Sequence, residues 1–156
     1  MTGIVIQPPS ACSGEELADF AALLGFRKEV NPENLEYRLM KALLLGLFYE
    51  DGLLVGISAL KKPTRRYMEA LEQLLGKPLP LRREAGWAYT RPEARGRGIS
   101  GALLAGILEY CRQPGMFAVT RGDNGAAGAV LREHGFQPYG PVVPWKGFDS
   151  RVFLLD

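Results

Sequence analysis

The chain has 156 residues, 47% of them hydrophobic and 23% charged, with a formal net charge of +2 at pH 7. That length suits one globular domain with a real core, and the composition excludes a disordered or fibrous chain. The small net charge argues against a non-specific nucleic-acid binder, which needs a strongly basic face. Cys12 and Cys111 form no C-x-x-C pair, so neither a zinc site nor a redox motif is expected. The start, Met1-Thr2-Gly3-Ile4, lacks a basic region and a long apolar run, and no stretch approaches bilayer length. A cytoplasmic protein without membrane contact is expected.

The first element is a short edge strand, Ile4-Val5-Ile6. Ser13 then caps a helix with Glu16 as its reciprocal partner, and Gly25 closes it. Asn31-Pro32-Glu33 predicts a second helix, with Asn at the cap and Pro at the first position, carrying Leu35, Leu39 and Leu43. Leu44 to Glu50 and Leu53 to Leu60 read as two strands joined by Asp51-Gly52, a strong hairpin signal. A basic stretch leads into a helix marked by Tyr67, Leu71, Leu74 and Leu75. The next strand runs from Glu84 to Thr90. Period-2 alternation places Glu84, Gly86, Ala88 and Thr90 on one face, and Trp87 on the other as core.

The polar loop Arg91 to Gly98 opens a helix with Ile99, Leu103, Leu104, Ile107, Leu108 and Cys111 on one face. Met116 to Thr120 reads as a buried strand. Gly122-Asp123-Asn124 caps another helix that ends at His134-Gly135-Phe136, and extended pieces follow at 139–143 and 151–155.

The turn Arg95-Gly96-Arg97-Gly98-Ile99-Ser100 carries the chemistry. A strand feeding a glycine-rich turn that opens a helix presents backbone N–H groups at the positive end of a helix dipole. Gly96 and Gly98 permit positive φ and close approach, and Arg95 and Arg97 add charge for phosphate oxygens. Gly96-x-Gly98-x-x-Gly101 also matches the dinucleotide-binding fingerprint. However, the polar run Arg91 to Arg95 separates the strand from the first glycine. No ribose-binding acid ends the strand roughly 20 residues on, as that fingerprint requires.

At these residues the chain resembles the GNAT superfamily of acyl-CoA-dependent N-acyltransferases, whose motif A reads Arg/Gln-x-x-Gly-x-Gly/Ala at a strand-to-helix junction. Tyr89-Thr90-Arg91-Pro92-Glu93 resembles the end of that family's fourth strand. Thr120 to Asn124, followed by Leu131 to Phe136, resembles its motif B. The resemblance implies a single α/β (α+β) domain over residues 1–156. Its mixed, mostly antiparallel central sheet would be flanked by helices and splayed between the fourth and fifth strands. It implies acetyl-CoA as acyl donor, with Arg95, Gly96, Arg97, Gly98, Ile99, Ser100 and Gly101 about the pyrophosphate. By the same resemblance Ala88, Tyr89 and Thr90 line the pantetheine arm, and Asn124, also a natural N-cap, reaches it. Two departures stand out. Ser100 replaces the motif's last Gly/Ala, and Leu131 replaces the tyrosine that usually protonates the leaving thiolate.

Acyl transfer needs a neutral amine, so a carboxylate must take its proton directly or through water. Glu84 is the candidate base, at the position where many relatives place a catalytic glutamate; the competing expectation pairs it with Arg82 or Arg83. Tyr139 is the better replacement acid, since Tyr110 reads as packing, and His134 reads as a solvated helix end. The implied acceptor is a small-molecule or protein amine of unread identity, and no metal is expected. Two rivals come from other classes. One is a GNAT-shaped module that binds CoA without turnover. The other is an interaction surface on the basic segment from Lys61 to Arg83, meeting an acidic substrate, nucleic acid or a second subunit in a homodimer; a solvated helical face is that segment's ordinary reading. Trp145, read as a late-loop aromatic, is a candidate wall of the acceptor pocket. Trp145→Ala is expected to raise KM for the amine, and an unaltered KM would exclude that role.

Overall fold

The computed structural model describes residues 2–156; Met1, part of the N-terminal segment read above, lies outside them. The class is α/β, with a mixed, mostly antiparallel sheet flanked by helices. The chain divides into two compact units. One holds the residues up to Lys61 with Gly86–Cys111, and the other holds Lys62–Ala85 with Arg112–Asp156.

In the first unit, β1 (Gly3–Gln7), β2 (Leu44–Glu50), β3 (Leu53–Lys61) and β4 (Glu84–Thr90) lie side by side in that order, though the first two residues of β4 belong to the other unit. Helices cover both faces of β2 and β3, which is why these strands are apolar almost throughout rather than alternating. Helix α1 (Gly14–Leu24) and the short α2 (Leu35–Leu39) pack Phe20, Leu23, Leu24 and Leu39 against Leu45, Leu47, Ile57 and Ala59. Helix α4 (Ile99–Cys111) packs Ile99 and Leu103 against Val55. Phe48 opposes Gly56 while Tyr49 opposes Leu54, so Val55 is the extra residue of a bulge. The expected capping box on α1 is present, with Ser13 Oγ accepting from Glu16 N and the Glu16 carboxylate accepting from Ser13 N.

The second helix departs from expectation. Asn31 Oδ1 accepts from Glu33 N, and this local turn competes with helix initiation. The helix starts only after Asn34, whose φ is 53°, and ends before Leu43.

In the second unit, α3 (Arg65–Leu75) sets Met68, Leu71 and Leu75 against Phe117, Val143 and Val152. Thr64 caps α3, and Leu74, expected on the packed face, is exposed while Met68 is buried. Strand β5 (Phe117–Arg121) pairs in parallel with β4 at Glu84 opposite Phe117, and antiparallel with β8 (Phe148–Leu155). Helix α5 (Gly125–Glu133) follows β5, and the edge strand β6 (Phe136–Pro138) pairs with β8.

The extended piece expected at 139–143 is replaced by β6 before it and β7 (Val143–Trp145) at its end. Gly140-Pro141 interrupts the ladder, since proline offers no donor. Lys146 and Gly147, at φ 51° and 84°, then form the two-residue turn of a β7–β8 hairpin, so Trp145 lies in a strand. Among the described residues no helix is long and apolar enough to cross a membrane.

Gly56 is where α4 meets the strand, because a methyl group there would stand 2.6 Å from Ile99 Cγ2. Gly56→Ala is expected to cost about 1–3 kcal/mol through overpacking. Urea denaturation would check this, and unchanged stability would show that the helix start is loosely seated.

Candidate functional site

The glycine turn is built from both flanks. Upstream, Arg91 N donates to Val55 O at 2.8 Å and Arg91 Nε donates to Leu54 O at 2.7 Å, which ties the end of β4 to β3. A 3-10 turn over Pro92–Ala94 buries Ala94 and redirects the chain. Gly96 and Gly98 follow with φ of 79° and 78°, conformations costly for other residues. A Cβ at either position would meet nothing within 4 Å beyond its own chain neighbours. Downstream, Ala102 N donates to Gly98 O at 3.0 Å, so the helical ladder begins there. The N–H groups of Ile99, Ser100 and Gly101 precede the first ladder donor and have no intrahelical acceptor. The turn thus combines two glycines with room at their Cβ positions and the N-terminus of a thirteen-residue helix, whose free N–H groups are the kind of donors that bind anions.

The two arginines are held close to the turn by protein partners. Arg95 Nε donates to Thr90 O at 2.9 Å, and its guanidinium lies 5.3 Å from the centre of the Tyr89 ring. Arg97 pairs with Glu50 at 2.6 Å, both side chains being well exposed.

Strand β4 corrects the expected alternation. Trp87 has φ 53°, which breaks the regular two-residue period between Gly86 and Ala88. Trp87 is nevertheless core, as expected. Its ring meets Phe20 edge-on at 6.4 Å, and Lys61 Nζ lies 5.0 Å from its centre. Beyond the break, Ala88 is exposed and its carbonyl accepts from Arg27 Nη1 at 3.2 Å, while Tyr89 stacks on Phe26 with centroids 6.1 Å apart. Phe26 and Arg27 have no motif of their own and were not anticipated. They follow the helix-closing Gly25, and only the folded chain shows that this loop returns to β4.

The other anticipated residues belong to the second unit. Glu84 is 4% exposed, and its Oε2 accepts from Tyr67 Oη at 3.1 Å. Arg82, one of its expected partners, instead donates Nε and Nη2 to Pro63 O at 3.0 and 2.8 Å. Tyr67 meets Trp145 edge-on at 5.2 Å, and Lys146 Nζ lies 5.3 Å from its ring centre. Trp145 is half-buried against Tyr67 rather than standing in an open loop. Tyr67 was read only as part of a helical stripe, and its contact with Glu84 spans a sequence gap that no periodicity reports.

Tyr139 Oη donates to Pro78 O at 2.5 Å, with Lys77 Nζ 3.9 Å from its ring centre. Asn124 Oδ1 accepts from Ala127 N at 3.1 Å, so the capping role is present and the side chain is exposed. Leu131 is buried, and Tyr110, read as packing, is 64% exposed. His134 Nδ1 lies 2.8 Å from Val130 O at the end of α5. No metal-ligating cluster occurs among the described residues.

Residues 16–136 match the family model described as the acetyltransferase (GNAT) family. The chain belongs to the GNAT acetyltransferase family. Its fold is also similar to that of an acyl-CoA N-acyltransferase from Pseudomonas aeruginosa, with TM-score 0.71, 14% identity and 100% of each chain covered. Escherichia coli ElaA gives TM-score 0.72 at 13% identity, again over 100% of both chains. YncA from Salmonella typhimurium, solved with its cofactor acetyl-CoA, gives TM-score 0.63 at 15% identity, covering 100% of this chain and 94% of that one. At these identities the likeness is one of fold. No curated protein matches the sequence.

The GNAT family uses acetyl-CoA as acyl donor, and backbone N–H groups at a helix start, as before α4, are donors of the kind a diphosphate takes. In this member of the family, Gly98→Val is expected to strain the backbone by about 1–2 kcal/mol. It should also lower acetyl-CoA affinity by at least about tenfold, a loss of ~1.4 kcal/mol of binding energy. Calorimetric titration alongside thermal unfolding separates the two effects, and wild-type affinity would exclude this turn from the donor site.

Proposed function

We propose that this GNAT acetyltransferase moves an acetyl group from acetyl-CoA to a primary amine by direct attack, with Glu84 as general base. The observation that carries the reading is a buried carboxylate at the start of the strand whose far end feeds the glycine turn. A carboxylate with 4% exposure would be costly to bury without partners, and Tyr67 supplies one.

The bound donor would supply an activated thioester. The backbone from Gly96 to Gly101, with Arg95 and Arg97, would hold its diphosphate. Ala88, Tyr89 and Thr90 would line the pantetheine arm, and Asn124 would contribute its side-chain amide. Glu84 would accept the proton of the attacking amine, directly or through one water, as the C–N bond forms and the C–S bond breaks. The departing thiolate also needs a proton. Leu131 has none to give, so we assign that role to Tyr139, whose hydroxyl rests on the Pro78 carbonyl.

Leu131 also favours a second reading, a CoA-binding module without turnover. Thioester consumption measured with acetyl-CoA and a panel of amino acids, polyamines, aminoglycosides and lysine peptides separates the two. Tight acetyl-CoA binding with no turnover by any amine would favour the module. With an active amine in hand, Glu84→Gln is expected to lower kcat by about 10²–10⁴-fold and to change the pH–rate profile. An unchanged profile would remove Glu84 from the mechanism.

A further inference from the structure

Three features converge on one side chain of the second unit. First, the backbone of Tyr67 is set by a cap, since Thr64 Oγ1 accepts from Tyr67 N at 3.1 Å in the first turn of α3. Second, the residue just before that cap is clamped to the approach of β4, because Arg82 donates twice to Pro63 O. Third, the ring itself is confined by Trp145, edge-on with planes 88° apart, and by the Lys146 ammonium. Tyr67 Oη therefore reaches Glu84 Oε2 from a ring with little rotational freedom, across 17 residues of sequence.

We infer that Tyr67 is a positioning residue for the reaction, orienting the Glu84 carboxylate through the Oη–Oε2 hydrogen bond. The inference rests on the reading of Glu84 as the base. A carboxylate that must collect a proton along a defined direction needs its plane fixed, and an added ångström of misplacement costs up to about 10²-fold in rate. Burial alone does not fix that plane, because rotation of the carboxylate about its last torsion is soft. The hydroxyl restricts it. Trp145, anticipated as a pocket wall, acts here by holding the Tyr67 ring.

Tyr67→Phe keeps the ring, its packing on Trp145 and the Lys146 contact, and removes only the hydroxyl. Steady-state kinetics with acetyl-CoA and the best amine of the panel should show kcat reduced about 10- to 100-fold, with KM for acetyl-CoA unchanged. Rates are expressed per acetyl-CoA binding site from calorimetric stoichiometry, so that any loss of folded protein does not register as a loss of rate. In a Glu84→Gln background the same substitution should cause no further loss, since the two groups act as one unit. If Glu84→Gln lowers kcat while Tyr67→Phe leaves it at the wild-type value, the inference is overturned and the base assignment stands. A loss equally large in both backgrounds also overturns it, because Tyr67 would then act independently of Glu84. If Glu84→Gln itself leaves kcat and the pH profile unchanged, the base assignment fails, and the positioning role falls with it.

Discussion

The glycine turn before α4 depends on the seating of Ile99 against Gly56. Ile99 is the first residue of α4, and its Cγ2 occupies the space that a side chain on β3 would fill. The same strand receives two hydrogen bonds from Arg91, so both flanks of the intervening turn are referred to β3. With its ends pinned in this way, the turn has left-handed φ at Gly96 and Gly98, and both glycines are exposed. Preorganised N–H groups bind an anion without first being ordered, which is the advantage of building such a site on packed elements rather than on a mobile loop.

Strand β4 serves two purposes because its regularity fails at Trp87. A tryptophan in the left-handed region costs of order 1–2 kcal/mol and persists only when its surroundings over-determine it. Phe20 and Lys61 hold the ring in the core of the first unit, while the main chain changes sense. The result is a strand that is buried at Glu84 and Ala85 and exposed at Ala88. A strand with unbroken alternation would have carried one set of side chains inward along its whole length.

Charge is arranged with similar economy. Arg97 and Glu50 form a well-exposed pair, and such pairs contribute at most about 1 kcal/mol. The contact keeps a guanidinium beside the turn without committing it. Arg95 is held by the Thr90 carbonyl and the Tyr89 ring, which leaves its remaining N–H groups outside that one hydrogen bond. Glu84 is the opposite case, a buried carboxylate that accepts a hydrogen bond from the Tyr67 hydroxyl.

Local chemistry by itself determined much of this protein. The capping box at Ser13 and Glu16, the Asp51-Gly52 hairpin, the span from Glu84 to Thr90, the glycine turn and the Asn124 cap all depend on residues within a few positions of one another, and each was legible. The second helix and the late strands depart from their sequence pattern where a side chain or a proline diverts the chain locally, at Asn31 and at Gly140-Pro141. Other features had no local signature. Trp87, with its left-handed φ, packs edge-on against Phe20, and the carbonyl of Ala88 is met by Arg27 from a distant loop. Glu84 was visible as a carboxylate on a strand, but its partner was not. Sequence spacing reports neighbours along a helix or strand, whereas the hydroxyl on Glu84 is brought there by a cap at Thr64, a clamp at Pro63 and an aromatic contact with Trp145. Those constraints exist only once α3, β4 and β7 are packed, so the glycine turn belonged to the sequence and the setting of the Glu84 carboxylate to the tertiary structure.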